Sequence, residues 1–330
     1  MTSKPRFWIQ QHPYPGGSAA AAEQAEAEGW DGLSFGDSQH RYGDPYVALA
    51  LAARASARLD LQVLVTNDIV RNIAATASAI ATVQVESGGR AVLGIGRGDS
   101  AVSDAGLAPS TVESFEKSLR DLQAYLRGDE VLTPLGWSRL VWVSPDTAKV
   151  PVAVAPSGPR MTAVAARHAD RVTFAVGADP QRLARSVALA RQLRRDAGLD
   201  PDGIAYGAIV SAVPHHDVGV ARDLARDRVG TLAHFAHRVD ALRDARRIEG
   251  PPVTDDVVDA VAAVGPPEQV IERLSALLSL GLDHLVFANY SRSAAQRDVL
   301  TARHLMAREV LPALRERFVA PAGPDDQRQP

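Results

Sequence analysis

Short apolar runs alternate with helical patterns along nearly the whole chain, and this rhythm restricts the fold more than any other feature. The runs are FWIQ (7–10), GLSFG (32–36), LQVLVT (61–66), AVLGIG (91–96), VPVAVA (150–155), RVTFAV (171–176), YGAIVSAV (206–213) and HLVFAN (284–289). Most are continuously apolar, as parallel strands covered on both faces are. Between them lie amphipathic segments such as PYVALALAARASA, GPRMTAVAARHA and PEQVIERLSALLSLG. Several stop at Gly or Asp just before the next run, a normal helix end. Eight β runs in β-then-α order within 330 residues predict an α/β fold, a (β/α)8 TIM barrel spanning 1–320 as one domain. A doubly wound open sheet has the same rhythm and stays open at this level.

Two segments break the pattern and are read as insertions on barrel loops, after strand 4 and strand 7. Residues 97–149 hold a helix (110–127) and an irregular part, EVLTPLGWSRLVWVSP, suited to a hairpin that Trp137 and Trp142 are expected to pack. Residues 215–265 hold two or three extra helices. The last ten residues, PAGPDDQRQP (321–330), are polar and Pro-rich and predict a disordered tail.

Composition removes several function classes. The net charge of −3 gives no reason to expect nucleic acid or an anionic membrane as partner. No apolar run approaches the ~20 residues that span a bilayer. The start, MTSKPRFWIQ, lacks the apolar core of a signal peptide, so a cytoplasmic location is expected. Without cysteine there is no disulfide, thiolate nucleophile or Cys-ligated metal. Adjacent His215 and His216 lack acidic ligands at suitable spacing, so no metal site is predicted. Lysine occurs only at 4, 117 and 149, leaving arginine as 33 of 36 cations. Arginine holds anions by a planar fork, but a skew this general reflects genome composition more than function.

The chemistry concentrates where the runs end. AVLGIGRGDSA (91–101) places glycines at 94, 96 and 98, just before Asp99. A dinucleotide fingerprint needs GxGxxG after the first strand, and a P-loop needs a terminal Gly-Lys-Ser/Thr; neither is present. In a barrel, glycines on a strand admit close approach of backbone or ligand, and here they are expected to open a slot for a planar ring. Barrel sites lie at the C-terminal strand ends. Those ends carry His12 with Tyr14, then Asp37, Ser38, Gln39 and His40, then Thr66 and Asn67. They continue with Gly96, Gly98 and Asp99, with Ser157 and Gly158, and with Asn289. After strand five, Ser157-Gly158-Pro159 opens a helix, with Ser157 the expected N-cap, so backbone N–H groups face the mouth and make an anion site.

VTNDIVRNIAATASAIATVQVESGGRAVLGIGRGDSA (65–101) closely resembles the bacterial-luciferase-like superfamily, and within it the branch that uses coenzyme F420, an 8-hydroxy-5-deazaflavin. The likeness extends to GLSFGDSQHRYGDPYVALALAA (32–53), to VPVAVAPSGPRMTAVAARHADRV (150–172) and more loosely to 264–287. It implies a non-prolyl cis peptide at Val63–Leu64 that backs the ring, with Thr66 and Asn67 beside it. Asp37 matches the family's acidic cofactor contact, and Arg97-Gly98, following Gly96, a further ring contact. Ser157, Gly158, Arg160 and Met161 match the phosphate loop. Two positions depart from the sugar-phosphate dehydrogenases of this branch. Ser38 stands where they carry a histidine proton donor, leaving His40 as a substitute. Asp99 stands where they carry a glutamate acid/base, one methylene longer.

The resemblance implies hydride transfer between F420 and a C=N, C=C or C=O bond of a small molecule. Asp99 or His40 would handle the proton, with His12 and Asn67 orienting the substrate. It also implies a homodimer served by an F420-reducing partner. Two alternatives stay open from sequence: an FMN-dependent monooxygenase using a flavin reductase partner and oxygen, and a non-catalytic flavin-binding barrel.

Overall fold

A computed structural model of the protein describes residues 4–144, 146–241, 253–288 and 295–318, with the backbone alone over 232–241. The strands are β1 (Arg6–Gln11), β2 (Gly32–Phe35), β3 (Asp60–Asn67), β4 (Ala91–Gly96), β5 (Val131–Thr133) and β6 (Gly136–Ser138). They continue as β7 (Val152–Val154), β8 (Arg171–Phe174), β9 (Ala205–Pro214), β10 (Ala262–Gly265) and β11 (His284–Phe287). The ring runs β1–β2–β3–β4–β7–β8–β9–β11 and returns to β1, every pairing parallel. Because β9 bonds both β8 and β11, the sheet closes, which excludes the open-sheet alternative.

The continuous apolar runs follow from burial on both faces. Outward residues such as Phe7, Ile9, Leu33, Phe35, Leu61, Val63, Leu93 and Ile95 pack into the helix layer. Inward residues Trp8, Leu64, Val92, Ala153, Ile209, Val286 and Ala288 form a second cluster inside the barrel. Each fully buried large side chain contributes roughly 1.5–3 kcal/mol.

The helices between them are α1 (Ser18–Ala27), α2 (Pro45–Ala55), α3 (Ile73–Glu86), α4 (Ser100–Ser103), α5 (Val112–Arg127), α6 (Pro159–His168) and α7 (Pro180–Asp196). Then come α8 (Val218–Ala241), α9 (Asp255–Val261), α10 (Pro267–Leu278), α11 (Gln296–Leu305), a π-helical stretch Met306–Val310, and α12 (Leu311–Arg317). Their starts are encoded locally. Asp44 and Asp179 each precede a proline and accept two backbone N–H bonds of the first turn. Thr111 caps α5, which ends on left-handed Gly128.

The N-terminal end of the barrel is plugged. The Trp8 and His284 rings stack at 5.4 Å, and His284 Nε2 lies 2.8 Å from the Thr173 hydroxyl. Gly207 is required there, because a Cβ would overlap the His284 ring. Burial first, then Arg171 and Arg6, lowers the His284 pKa to about 3, so the ring stays neutral.

The first insertion forms the expected helix and hairpin, but Trp137 and Trp142 do not pack it; they are 67% and 46% exposed. The hairpin strands are three residues each and only Val131 turns inward, so no second layer covers the indoles. The second insertion holds α8 and α9 and ends in a ninth parallel strand that the rhythm does not foresee. The four residues of β10 pair with the outer half of β9, from Ala262↔Ser211 to Gly265↔Pro214. Among the described residues no helix is long and apolar enough to cross a membrane, and no cluster of three metal-ligating side chains occurs. His215 serves the chain locally: its Nδ1 accepts from the Asp217 N–H at 3.1 Å. The predicted tail (321–330) and Asn289 lie outside the described residues.

Candidate active site

The mouth is organised by an irregularity in β3. Val63 is in register with Leu93, yet pairing resumes only at Thr66↔Ile95, so β3 carries one residue more than β4 across this step. Both Leu64 and Val65 consequently belong to the barrel interior. The cis peptide lies inside the bulge, at Leu64–Val65 and not at the expected Val63–Leu64. Val63 is still in regular register and its side chain faces the helix layer, so the departure begins one residue later.

Each glycine of the AVLGIGRGDSA run has its own reason. A Cβ on Gly94 would lie 2.5 Å from the Val63 carbonyl oxygen, so this glycine admits the bulge rather than opening a slot, contrary to the sequence expectation. Gly98 has φ +93° and its vacant side is filled by Val102. Gly96 differs: a Cβ there would meet only Val65 Cγ2, at 3.6 Å. With Val65, Ala155 and Ala175 only partly buried on the interior, the room for a flat group lies at Gly96.

Beside the bulge, two residues expected separately at the strand ends meet. Thr66 Oγ1 donates to Asp37 Oδ2 at 2.7 Å. Burial raises the Asp37 pKa, against the lowering pull of the Thr66 hydrogen bond and the Arg71 charge. Asn67 turns inward on its own loop, its Oδ1 accepting from the Ile69 and Val70 N–H groups. The loop after β2 is tied to α4: Ser38 and Ser100 hydroxyls lie 3.4 Å apart, and Gln39 Nε2 donates to the Ala101 carbonyl at 2.9 Å. Asp99 sits half-buried at the start of α4, whereas His40 is exposed.

An electropositive edge faces β4 and β7. Arg97 Nε donates to the Ser110 carbonyl, and the Ser110 hydroxyl donates to Asp68. Burial, then the nearness of Arg160, lowers the Arg97 pKa. Arg160 is exposed and pairs with Glu113 at 2.9 Å. The N-cap of α6 is Gly158 and not Ser157, with Pro159 as its first residue. Glycine there leaves the helix start without a side-chain cap, so its N–H groups stay available. A cavity of about 140 Å³ beside this loop is lined by Ser157, Gly158, Thr162, Arg182 and Arg185 among others. The two α7 arginines escaped sequence reading because nothing local distinguishes them from solvated helix residues. Met161 packs against the helix-layer core, so its side chain does not face the site.

The opposite rim, over β1 and β2, is aromatic. His12 and Tyr42 stack at 4.0 Å with planes 7° apart, and Tyr14 meets both edge-on. Beneath them Gln10 Nε2 donates to the Leu64 carbonyl at 2.7 Å, fastening β1 to the bulge. Gln10 carried a signal in sequence: it lies two residues beyond Trp8 and so shares its inward face.

With this geometry in view, comparison with known proteins is decisive for the family. Residues 5–284 match the luciferase-like monooxygenase family, and the chain belongs to it and is an oxidoreductase. The chain is 26% identical over 290 residues to a 5,10-methylenetetrahydromethanopterin reductase of Methanolobus tindarius, covering 80% of this chain and 87% of that one. The coenzyme F420-dependent tetrahydromethanopterin reductase of Methanopyrus kandleri superposes with a TM-score of 0.76 at 21% identity, over 96% of this chain and 100% of that one. An FMN-bound oxygenating component of 3,6-diketocamphane monooxygenase from Pseudomonas putida superposes at 0.69 and 17% identity, over 94% and 98%. These structures share the barrel.

Proposed function

We propose that this chain is a coenzyme F420-dependent oxidoreductase that passes a hydride between the deazaflavin and a C=N, C=C or C=O bond of a small organic molecule. The observation that carries the reading is Gly96, where a side chain would meet only Val65 Cγ2, at 3.6 Å, beside the bulge. Arg97, Arg160 and the uncapped start of α6 follow on the neighbouring strand ends. A flat ring with an anionic tail fits those residues, and the two tetrahydromethanopterin reductases among the relatives favour a deazaflavin as that ring. When bound, the deazaflavin supplies a hydride donor or acceptor at one ring carbon.

The chain's own residues then position two planar reactants and manage one proton. Leu64 and Val65 would lie behind the ring, their backbone held by Gln10. Asp37 and Thr66 would offer it polar contacts, with Asn67 and the Arg97-Gly98 turn beside them. The amides of Gly158 and Met161, with Ser157, Arg97 and Arg160, would hold its anionic tail. Asp99, half-buried where β4 ends, gives or takes the proton; exposed His40 is the second carrier. His12, fixed by its stack on Tyr42, and Ser38, fixed against Ser100, orient the substrate.

Parallel titrations with F420 and FMN test this reading. Micromolar binding of F420 with markedly weaker FMN is expected. Tighter FMN binding with reductase-coupled oxygen consumption would make the protein a monooxygenase, and binding of neither would remove the redox assignment. Asp99→Asn should lower turnover by about 10²–10⁴-fold while cofactor affinity holds. Unchanged turnover removes Asp99 from the proton step.

A further inference from the structure

Three arginines in the first half of helix α8 meet different surroundings. Arg222 pairs with Asp259 at 2.6 Å and with Asp255, and Arg226 pairs with Asp223 and Asp255. Arg228, two residues and so about half a turn further, faces the barrel mouth instead. Its Nη2 lies 3.5 Å from Gln10 Oε1, the outer limit of a hydrogen bond, and its buried Nε bonds nothing. No carboxylate accompanies it among the described residues. Gln10 cannot turn to improve the contact without releasing its bond to the Leu64 carbonyl. Burial lowers the Arg228 pKa to about 10, which leaves it charged at neutral pH.

Arg228 as a whole is half-buried, but its Nε is shut off from solvent without a partner, and donors so placed are ordinarily bonded. Asp255 and Asp259 of α9, with Asp223 of α8, serve the two outer arginines, and no described carboxylate serves Arg228. An Nε/Nη edge presents two parallel N–H groups, which match two oxygens of one oxyanion. The cofactor tail is a poor candidate for that oxyanion, since its edge lies over β4 and β7, three strands round the barrel from β1.

We infer that Arg228 anchors an oxyanion on the substrate, a carboxylate or a phosphate, at the β1–β2 side of the mouth. This rests on the proposed function only in taking the mouth as the site of reaction, and it makes Arg228 a specificity-determining residue.

The test is calorimetric titration of the full chain, with and without F420, using benzoate, phenyl phosphate and neutral benzamide as probes suited to the aromatic rim. At least one anion should bind wild type about tenfold or more tighter than benzamide, since charge-assisted pairs are worth that much. Arg228→Met should lose this preference, and Arg228→Lys should keep part of it. Arg228→Met should also melt about 2–4 °C higher, because it removes a desolvated charge with no partner. Benzamide binding as well as both anions, or Arg228→Met keeping the anion preference, overturns the inference. Anion preference in a chain that binds no F420 would overturn the cofactor reading and leave Arg228 in its role. Which anion wins identifies carboxylate or phosphate.

Discussion

The two ends of the barrel interior are built on opposite terms. At the closed end Trp8, His284, Arg171 and Thr173 fill the space, and Gly207 is glycine only to make way for the His284 ring. At the open end the inward positions are Gly96, Ala155, Ala175 and Ala288, and Ser211 Oγ and Arg228 Nε bond nothing, as Trp8 Nε1 does at the closed end. The closed end uses side-chain volume for stability. The open end forgoes that volume, and natural interiors tolerate this chiefly where a ligand completes them.

Substitutions at the glycines break this contrast most directly. Gly207→Ala should be the most damaging, because the added methyl collides with a ring that has nowhere to go. A loss of about 3 kcal/mol is expected, read as a melting point lower by about 4–5 °C in a chain of this length. Gly96→Val should leave the melting point nearly unchanged but weaken cofactor binding about tenfold or more, since it fills the ring's space rather than a packed one. A large stability loss at Gly96, or none at Gly207, would erase the distinction between the two ends.

A smaller effect sharpens it through pH. The Asp37 pKa is raised by burial, so the stability linked to its proton is fully present below the ordinary carboxylate range and is lost as pH rises through the folded-state value. Asp37→Asn should therefore melt about 2 °C higher than wild type at neutral pH. That gain should shrink as pH falls and wild type takes up the proton. A gain that persists in acid would show that the carboxylate is not the destabilising group. Weaker cofactor binding in the same variant would mark Asp37 as stability given up for function.

Much of the barrel was legible because each strand is buried on both faces, so Phe7 to Phe287 read as unbroken apolar runs between capped helices. The polar rim followed from strand ends, and the Asp37–Thr66 pair is the clearest gain. What sequence could not supply was register. The cis bond lies one residue from its expected place because Val63, Leu64 and Val65 are alike in chemistry and differ only in how they meet β4. Gly94 and Gly96 look equivalent in the run, yet one receives a carbonyl and the other open space. Arg228 was out of reach for a related reason: three arginines six residues apart on one helix give no hint which of them faces inward.

Strand β9 outruns the barrel, and its outer half is bonded to β10. The insertion that carries α8 leaves the sheet at Pro214, rejoins it at Ala262 opposite Ser211, and runs alongside β9 until the His215 N–H bonds the Gly265 carbonyl at 2.8 Å. Departure and return are both fastened to the last four residues of β9. Both ends of the insertion are thus held by one rigid stave, so a change in length between them leaves the barrel frame below as it is.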